Sequence, residues 1–203
     1  MPKRILLVSA TQQEMPVLEH EDVDVLVTGV GMVATTFSLT RKLTGSQYDL
    51  VMNVGIAGSF RSQFQLGHVV QVVSDRFAEL GVEDHELFIP ADKLDLVGTD
   101  ELLFETNERL GSLQEASGIT VNRVHGAQDS IASVNRQFSP DIESMEGAAV
   151  AYVCKQFGIP WVQVRAISNR VEPRNRAAWN IPLALENLHV EVRKCIDDLR
   201  NEG

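Results

Sequence analysis

Six short runs of this chain are strand candidates, several of them apolar almost without interruption: Arg4–Ala10, Val23–Thr28, Leu50–Val54, His68–Ser74, Thr120–Val124 and Trp161–Ile167. A strand with one wet face alternates polar and apolar residues, whereas a strand covered on both faces reads as a continuous apolar run. The intervening stretches carry helical spacing. After Gly31, the residues Met32, Thr36, Leu39 and Leu43 recur at i, i+4, i+7 and i+11. A second helix is expected from about Glu146 to Phe157, closed by Gly158 and then Pro160. A third starts near Asn180-Ile181-Pro182, with Ile181, Leu185, Leu188, Val192, Ile196 and Leu199 as its buried stripe. This rhythm predicts an α/β three-layer sandwich around a central mixed, largely parallel sheet. The 203 residues suit one domain spanning 1–203. The segment Arg76–Asp100 lacks clear periodicity and reads as a long loop or a strand with excursions.

Charge narrows the partners. The formal net charge is −10 with no basic block, which opposes phosphate neutralisation, so no nucleic-acid partner is expected. An anionic membrane surface is equally unfavourable. No apolar run approaches the ~18 residues of a membrane span. The basic start Met1-Pro2-Lys3-Arg4 leads only into Ile5–Val8, too short for a signal core, so a cytoplasmic protein is expected. Cys154 and Cys195 have no CxxC or Cys/His spacing and read as free buried thiols. The histidines show no i, i+4 pair and no HExxH, and no metal is expected. No GxSxG elbow is present. Gly29-x-Gly31-x-x-Ala34 fits the permissive dinucleotide fingerprint, but the acidic residue at the required spacing, Asp49, precedes its strand. No cofactor is therefore expected.

In open α/β sheets, ligands bind beyond the carboxyl ends of the strands. The stretches that follow the apolar runs are Ser9-Ala10-Thr11-Gln12-Gln13-Glu14, Gly29-Val30-Gly31, Gly55-Ile56-Ala57-Gly58 and Ser168-Asn169. Together they offer a carboxylate, bare backbone donors at two glycine turns and an amide.

With Asp141-Ile142-Glu143-Ser144-Met145-Glu146-Gly147-Ala148-Ala149-Val150-Ala151, the segments Ser9–Glu14, Asn53–Gly58 and Val164–Asn169 occur in an order that resembles the purine nucleoside phosphorylase / methylthioadenosine nucleosidase superfamily. Within it, Arg165–Asn169 followed by Val171-Glu172-Pro173-Arg174-Asn175-Arg176 and Trp179 is similar to the futalosine hydrolases, which release hypoxanthine from futalosine on a menaquinone pathway. The resemblance implies that Glu14 activates the attacking water, that Glu146 accepts hydrogen bonds from the ribose hydroxyls with Met145 packed on the sugar, and that Ala57, Gly58, Ser168 and Asn169 hold the purine. The bland alternatives are a surface Glu14, a Glu146 that faces its own helix dipole, and a turn-forming Asn169.

Adenine-cleaving relatives carry Asp where this chain has Asn169. An amide can donate a hydrogen bond but cannot transfer a proton. A 6-oxopurine presents two adjacent acceptors, N7 and O6, to an NH₂ group, so hypoxanthine is the expected leaving base. Related phosphorylases flank the second glycine turn with Arg and Ser, where this chain has Asn53 and Ile56, and hydrolysis is favoured. The benzoate carboxylate of futalosine calls for a cation. Arg170, Arg174 and Arg176 are candidates, with Trp179 as an aromatic wall, against an ion-pair cluster with Glu172. The stretch Gly126–Ile131 offers no aromatic to stack on the base. A methylthioadenosine/S-adenosylhomocysteine-type nucleosidase and a non-catalytic nucleoside-binding protein are the alternatives. Superfamily members are usually oligomers, so a homo-oligomer, a dimer or higher, is expected.

Overall fold

The computed structural model describes residues 3–18, 20, 22–85, 87–94, 96–111 and 113–201; Met1 and Pro2 of the basic start lie outside them. Ten strands and four α-helices are formed among the described residues. The strands are β1 Ile5–Ser9, β2 Val23–Val27, β3 Leu50–Ser59, β4 Val69–Phe77, β5 Gly81–Asp84, β6 Leu87–Pro90, β7 Leu103–Glu105, β8 Gln114–Thr120, β9 Ile142–Ser144 and β10 Trp161–Arg170. The helices are α1 Met32–Thr44, α2 Gln128–Phe138, α3 Gly147–Phe157 and α4 Ile181–Asn201.

Strand parity shows the three layers directly. Ile5, Leu7, Leu50, Met52 and Val54 pack with Leu188, Val192 and Ile196 of α4. Their neighbours Leu6, Val8 and Val51 face the other way, onto Leu39 and Leu43 of α1 and Ala148, Val150 and Ala151 of α3. Both faces of β1 and β3 are therefore dry, which is why their sequences read as unbroken apolar runs.

The main sheet has eight strands and is mixed. β1 pairs parallel with β2 and β3, β3 with β10, β4 with β8, and β8 with β9. β10–β4, β3–β9 and β4–β7 are antiparallel. The pairings β3–β10–β4–β8–β9–β3 close on themselves, so part of the sheet is a ring, with Ala57, Val70, Val72, Ala116, Ile142 and Ile167 from its five strands in one cluster.

Several expectations are corrected. Gly55–Gly58, read as a turn, continues β3, because β10 pairs with it from Gly55 to Gly58 and β9 takes its other edge at Gly58 and Ser59. The fifth strand is Gln114–Thr120 rather than Thr120–Val124; its polar start is held in place by parallel pairing to β4. Arg76–Asp100 holds the end of β4 and a separate β5–β6 hairpin. On α4 the buried stripe begins at Ala184, and Ile181 and Leu185 are only partly covered. The thiols Cys154 and Cys195 are free and buried. Among the described residues no helix is long and apolar enough to cross a membrane.

Candidate active site

Of the side chains singled out in sequence, those of Glu14, Ser168 and Asn169 meet the C-terminal half of β3, and Glu146 lies within electrostatic reach of Glu14. Glu14 ends a single 3₁₀ turn after β1 and is buried. Its Oε2 accepts from the Thr11 amide at 2.9 Å and the Thr11 hydroxyl at 2.8 Å, and its Oε1 accepts from the Ile56 amide at 3.1 Å. α4 braces the same turn where His189 Nε2 lies 2.9 Å from the Gln13 carbonyl. A Cβ on Gly55 would stand 2.8 Å from Glu14 Oε1, so only glycine at this position admits the carboxylate.

Glu146 occupies the N-cap position of α3 but makes no capping bond to that helix. Its carboxylate crosses instead to the Gly31 amide at 2.9 Å, 115 residues away in the chain. Gly31 has φ +92°, a conformation that side-chain-bearing residues rarely adopt. The glycine of the first turn thus aims its N–H at a carboxylate of this chain. Burial pushes the Glu146 carboxyl up; the Gly31 amide and Arg165 pull it back, and nearby Glu14 pushes it further up.

Sequence reasoning assigned no role to Arg165, which is fully buried on β10. One guanidinium nitrogen bonds Asn53 Oδ1, another donates to the Val164 carbonyl at 3.2 Å, and Nε has no partner among the described residues. Asn53 in turn donates to the Val8 carbonyl at 3.1 Å. Burial lowers the Arg165 pKa, while Glu146, Glu14 and Asp75 raise it. A guanidinium keeps its charge even when buried, so Arg165 is a permanent cation within electrostatic reach of the two site carboxylates. The signal was a lone charge within Trp161–Ile167, an otherwise uncharged run.

Beneath Arg165 lies Asp75, also missed. It accepts from Thr120 Oγ1 at 3.0 Å and Gln163 Nε2 at 3.0 Å, and Thr120 Oγ1 accepts from the Ala148 amide at 2.7 Å. Burial pushes its carboxyl up to about 6 against the pull of these bonds and of Arg165. A Cβ on Gly147 would fall 2.1 Å from Asp75 Oδ2. Asp75 therefore supports the first turn of α3, directly after Glu146.

At the far end of β3, a register shift between Ile167 and Asn169 brings Asn169 opposite Gly58. Ser168 Oγ reaches the Ala57 carbonyl at 3.2 Å and Asn169 Oδ1 at 2.8 Å, and Asn169 Nδ2 donates to the Arg170 carbonyl at 3.0 Å. Gly55 and Gly58 are three residues apart, roughly 10 Å along a strand. That span matches the distance from the sugar to the far edge of the base in a purine nucleoside. Met145 is half-buried where β9 meets α3.

The arginines are used differently. Arg170 bonds the carbonyls of Arg61 and Ser62 and braces that loop. Arg174 and Arg176 lie over the Trp179 ring, 5.3 and 6.0 Å from its centroid. Among the described residues Glu172 makes no ion pair, so the arginine–glutamate cluster is absent there. A hollow of 790 Å³ is not over the carboxylates. It lies on the outer face of α1 against Phe77 and Leu80, lined by Met32, Val33, Thr36 and Phe37.

The family model of the phosphorylase superfamily matches residues 14–197. A futalosine hydrolase from Streptomyces coelicolor is 32% identical over 181 residues, covering 84% of this chain and 77% of its own length. A 5'-methylthioadenosine/S-adenosylhomocysteine nucleosidase from Bacillus pumilus is 30% identical over 169 residues, covering 75% of this chain and 70% of its own. In fold, the native structure of futalosine hydrolase from Helicobacter pylori matches with a TM-score of 0.80 at 17% identity, over 97% of this chain and 98% of that one.

Proposed function

The chain belongs to the phosphorylase superfamily, and from that premise we propose that it is a futalosine hydrolase: an N-glycosyl hydrolase that cleaves futalosine with water to hypoxanthine and dehypoxanthine futalosine. The observation that carries the reading is the placing of two carboxylates, buried Glu14 and partly buried Glu146, within electrostatic reach of the Arg165 guanidinium beside the middle of β3, with an amide, Asn169, opposite Gly58 near its end. Curated futalosine hydrolases among the relatives supply the substrate.

Breaking an N-glycosidic bond leaves positive charge on the ribose and negative charge on the base. Two carboxylates against one guanidinium make the sugar end net negative. That repels inorganic phosphate, stabilises an oxocarbenium-like ribose and leaves Glu14 to take a proton from water. Glu146, fixed by the Gly31 amide, accepts from the ribose hydroxyls, and Met145 covers the sugar. Ala57, Gly58, Ser168 and Asn169 border the base. Asn169 Nδ2 uses one N–H on the Arg170 carbonyl and keeps one for the base. Arg174 and Arg176, layered on Trp179, are the cations best placed for the benzoate carboxylate, because Arg170 is already spent on loop carbonyls.

The homo-oligomer forms through the hollow on α1, where Val33 is 81% exposed and Phe37 is 66% exposed, an apolar patch that a second copy would bury. A monomer in sedimentation at micromolar concentration would refute this. No covering of this face is needed for a cytoplasmic location, which we also propose.

The test of function is incubation with futalosine, inosine and methylthioadenosine without phosphate. Hypoxanthine from futalosine is the expected product. Adenine from methylthioadenosine alone would favour the nucleosidase reading that the Bacillus pumilus relative represents. Binding with no base release would favour a non-catalytic nucleoside-binding protein.

A further inference from the structure

An amide at position 169 leaves the departing base without a proton donor, and the strand register places a second polar group beside it. Asn169 pairs with Gly58 on β3, and Gly58 pairs with Glu143 on β9. The three positions are lateral neighbours on adjacent strands, so their side chains share a face, and neighbouring strands lie only about 4.8 Å apart. A Cβ on Gly58 would be 3.1 Å from Asn169 Nδ2 and 3.6 Å from Glu143 Cγ. The bare glycine is thus flanked by the amide and the glutamate together.

Glu143 is buried and is committed to one residue. Its Oε1 accepts from the His125 backbone amide at 3.0 Å, and its Oε2 lies 2.6 Å from His125 Nδ1. A carboxylate has only acceptors to offer, so Nδ1 carries a hydrogen and the ring is fixed with Nε2 facing away from Glu143. Nε2 has no partner among the described residues, and His125 lines a cavity of 490 Å³ beside α2. The edge of Phe60, next to Ser59 of β3, packs on the imidazole with centroids 6.3 Å apart. With Nδ1–H held by the buried carboxylate, Nε2 donates only from the imidazolium, whose positive charge the Glu143 carboxylate faces.

We propose that His125, held by Glu143, is the general acid that protonates the departing purine. This rests on the futalosine hydrolase reading and supplies the proton that Asn169 cannot. As the C1′–N9 bond breaks, its electron pair goes to the purine, and the proton on His125 Nε2 passes to the purine N7. The water oxygen bonds C1′ and its proton goes to Glu14. Exchange with solvent then returns a proton from Glu14 to His125, so the sum is futalosine plus water giving hypoxanthine and dehypoxanthine futalosine.

The experiment compares futalosine with N7-methylated futalosine, whose purine already carries the positive charge and leaves without a proton. For His125→Gln, kcat on futalosine is expected to fall by about 10²-fold or more, while kcat on the methylated substrate stays within about threefold. Glu143→Gln is expected to show the same contrast more weakly, and it carries the test if His125→Gln does not fold. An equal loss on both substrates means a structural role and overturns the proposal, as does full activity on futalosine. Wild-type protein that releases no hypoxanthine from futalosine overturns the functional reading and this inference with it. A working wild type with an insensitive variant overturns only the role of His125.

Discussion

Glu14→Gln exchanges one oxygen for one NH₂ and leaves the shape of the site almost unchanged. The wild-type carboxylate accepts three hydrogen bonds, two from Thr11 and one from the Ile56 amide. A glutamine must turn its NH₂ toward one of these donors, which leaves a buried confrontation of N–H groups costing about 1–3 kcal/mol. For a chain of this length, each kcal/mol lowers Tm by about 2–4 °C. The chemical loss is separate. An amide cannot take the proton of the attacking water, and general-base help is worth about 10²–10⁴-fold, or roughly 2.7–5.4 kcal/mol of barrier. The expected result is a protein that melts a few degrees lower, retains its KM for futalosine and loses at least about 10² in kcat. The assay is hypoxanthine release at a temperature where thermal denaturation shows both proteins fully folded. A kcat equal to wild type would remove Glu14 from the general-base role and, with it, the assignment of this end of β3 to the sugar.

Two further substitutions probe the rest of the site. Asn169→Asp places a carboxylate against the two acceptors of a 6-oxopurine, a mismatch of about 1–3 kcal/mol. Its kcat/KM on futalosine should fall by about 5- to 150-fold, and an unchanged value would show that the amide does not read the base. Asp75→Asn tests the buried network. Asp75 sits at about 6 in the folded protein, above the roughly 3.9 of an exposed aspartate. The folded state therefore holds the proton more tightly, and this group makes stability fall as pH rises from about 4 to about 6, with no further change above. Wild-type Tm should decline across that window more steeply than that of Asp75→Asn, and parallel curves would refute the account.

The parts legible in sequence are those with a local physical cause. Continuous apolar runs announced β1 and β10 because both faces of those strands are covered. Gly158 in the left-handed region ended α3 where the pattern stopped. The strand-end stretches around Glu14, Gly31 and Gly58 were singled out because open sheets bind ligands there. What escaped notice had no such cause. β9 is three residues long, and β8 opens on polar residues, so neither has a recognisable period. Gly55–Ser59 looked like a turn because glycine carries no strand preference, and only pairing to β10 and β9 keeps it extended. α2 begins in a polar stretch whose stripe, Ile131 and Val134, is too sparse to stand out.

By itself the sequence determined the layers: which segments can be buried on both faces, where helices must stop, and that the thiols are core groups. These follow from the hydrophobicity and backbone freedom of residues close together in the chain. Only the tertiary structure decided which polar groups meet. Arg165 with Asn53, Glu146 with the Gly31 amide, Asp75 under Gly147, and Glu143 beside Asn169 are joined by the closing of the sheet into a ring and by a one-residue register shift in β10. A buried charge is tolerable only beside its partner, and a one-residue change of register moves every side chain to the opposite face. Such partners are therefore set by long-range pairing, which no local pattern in the chain records.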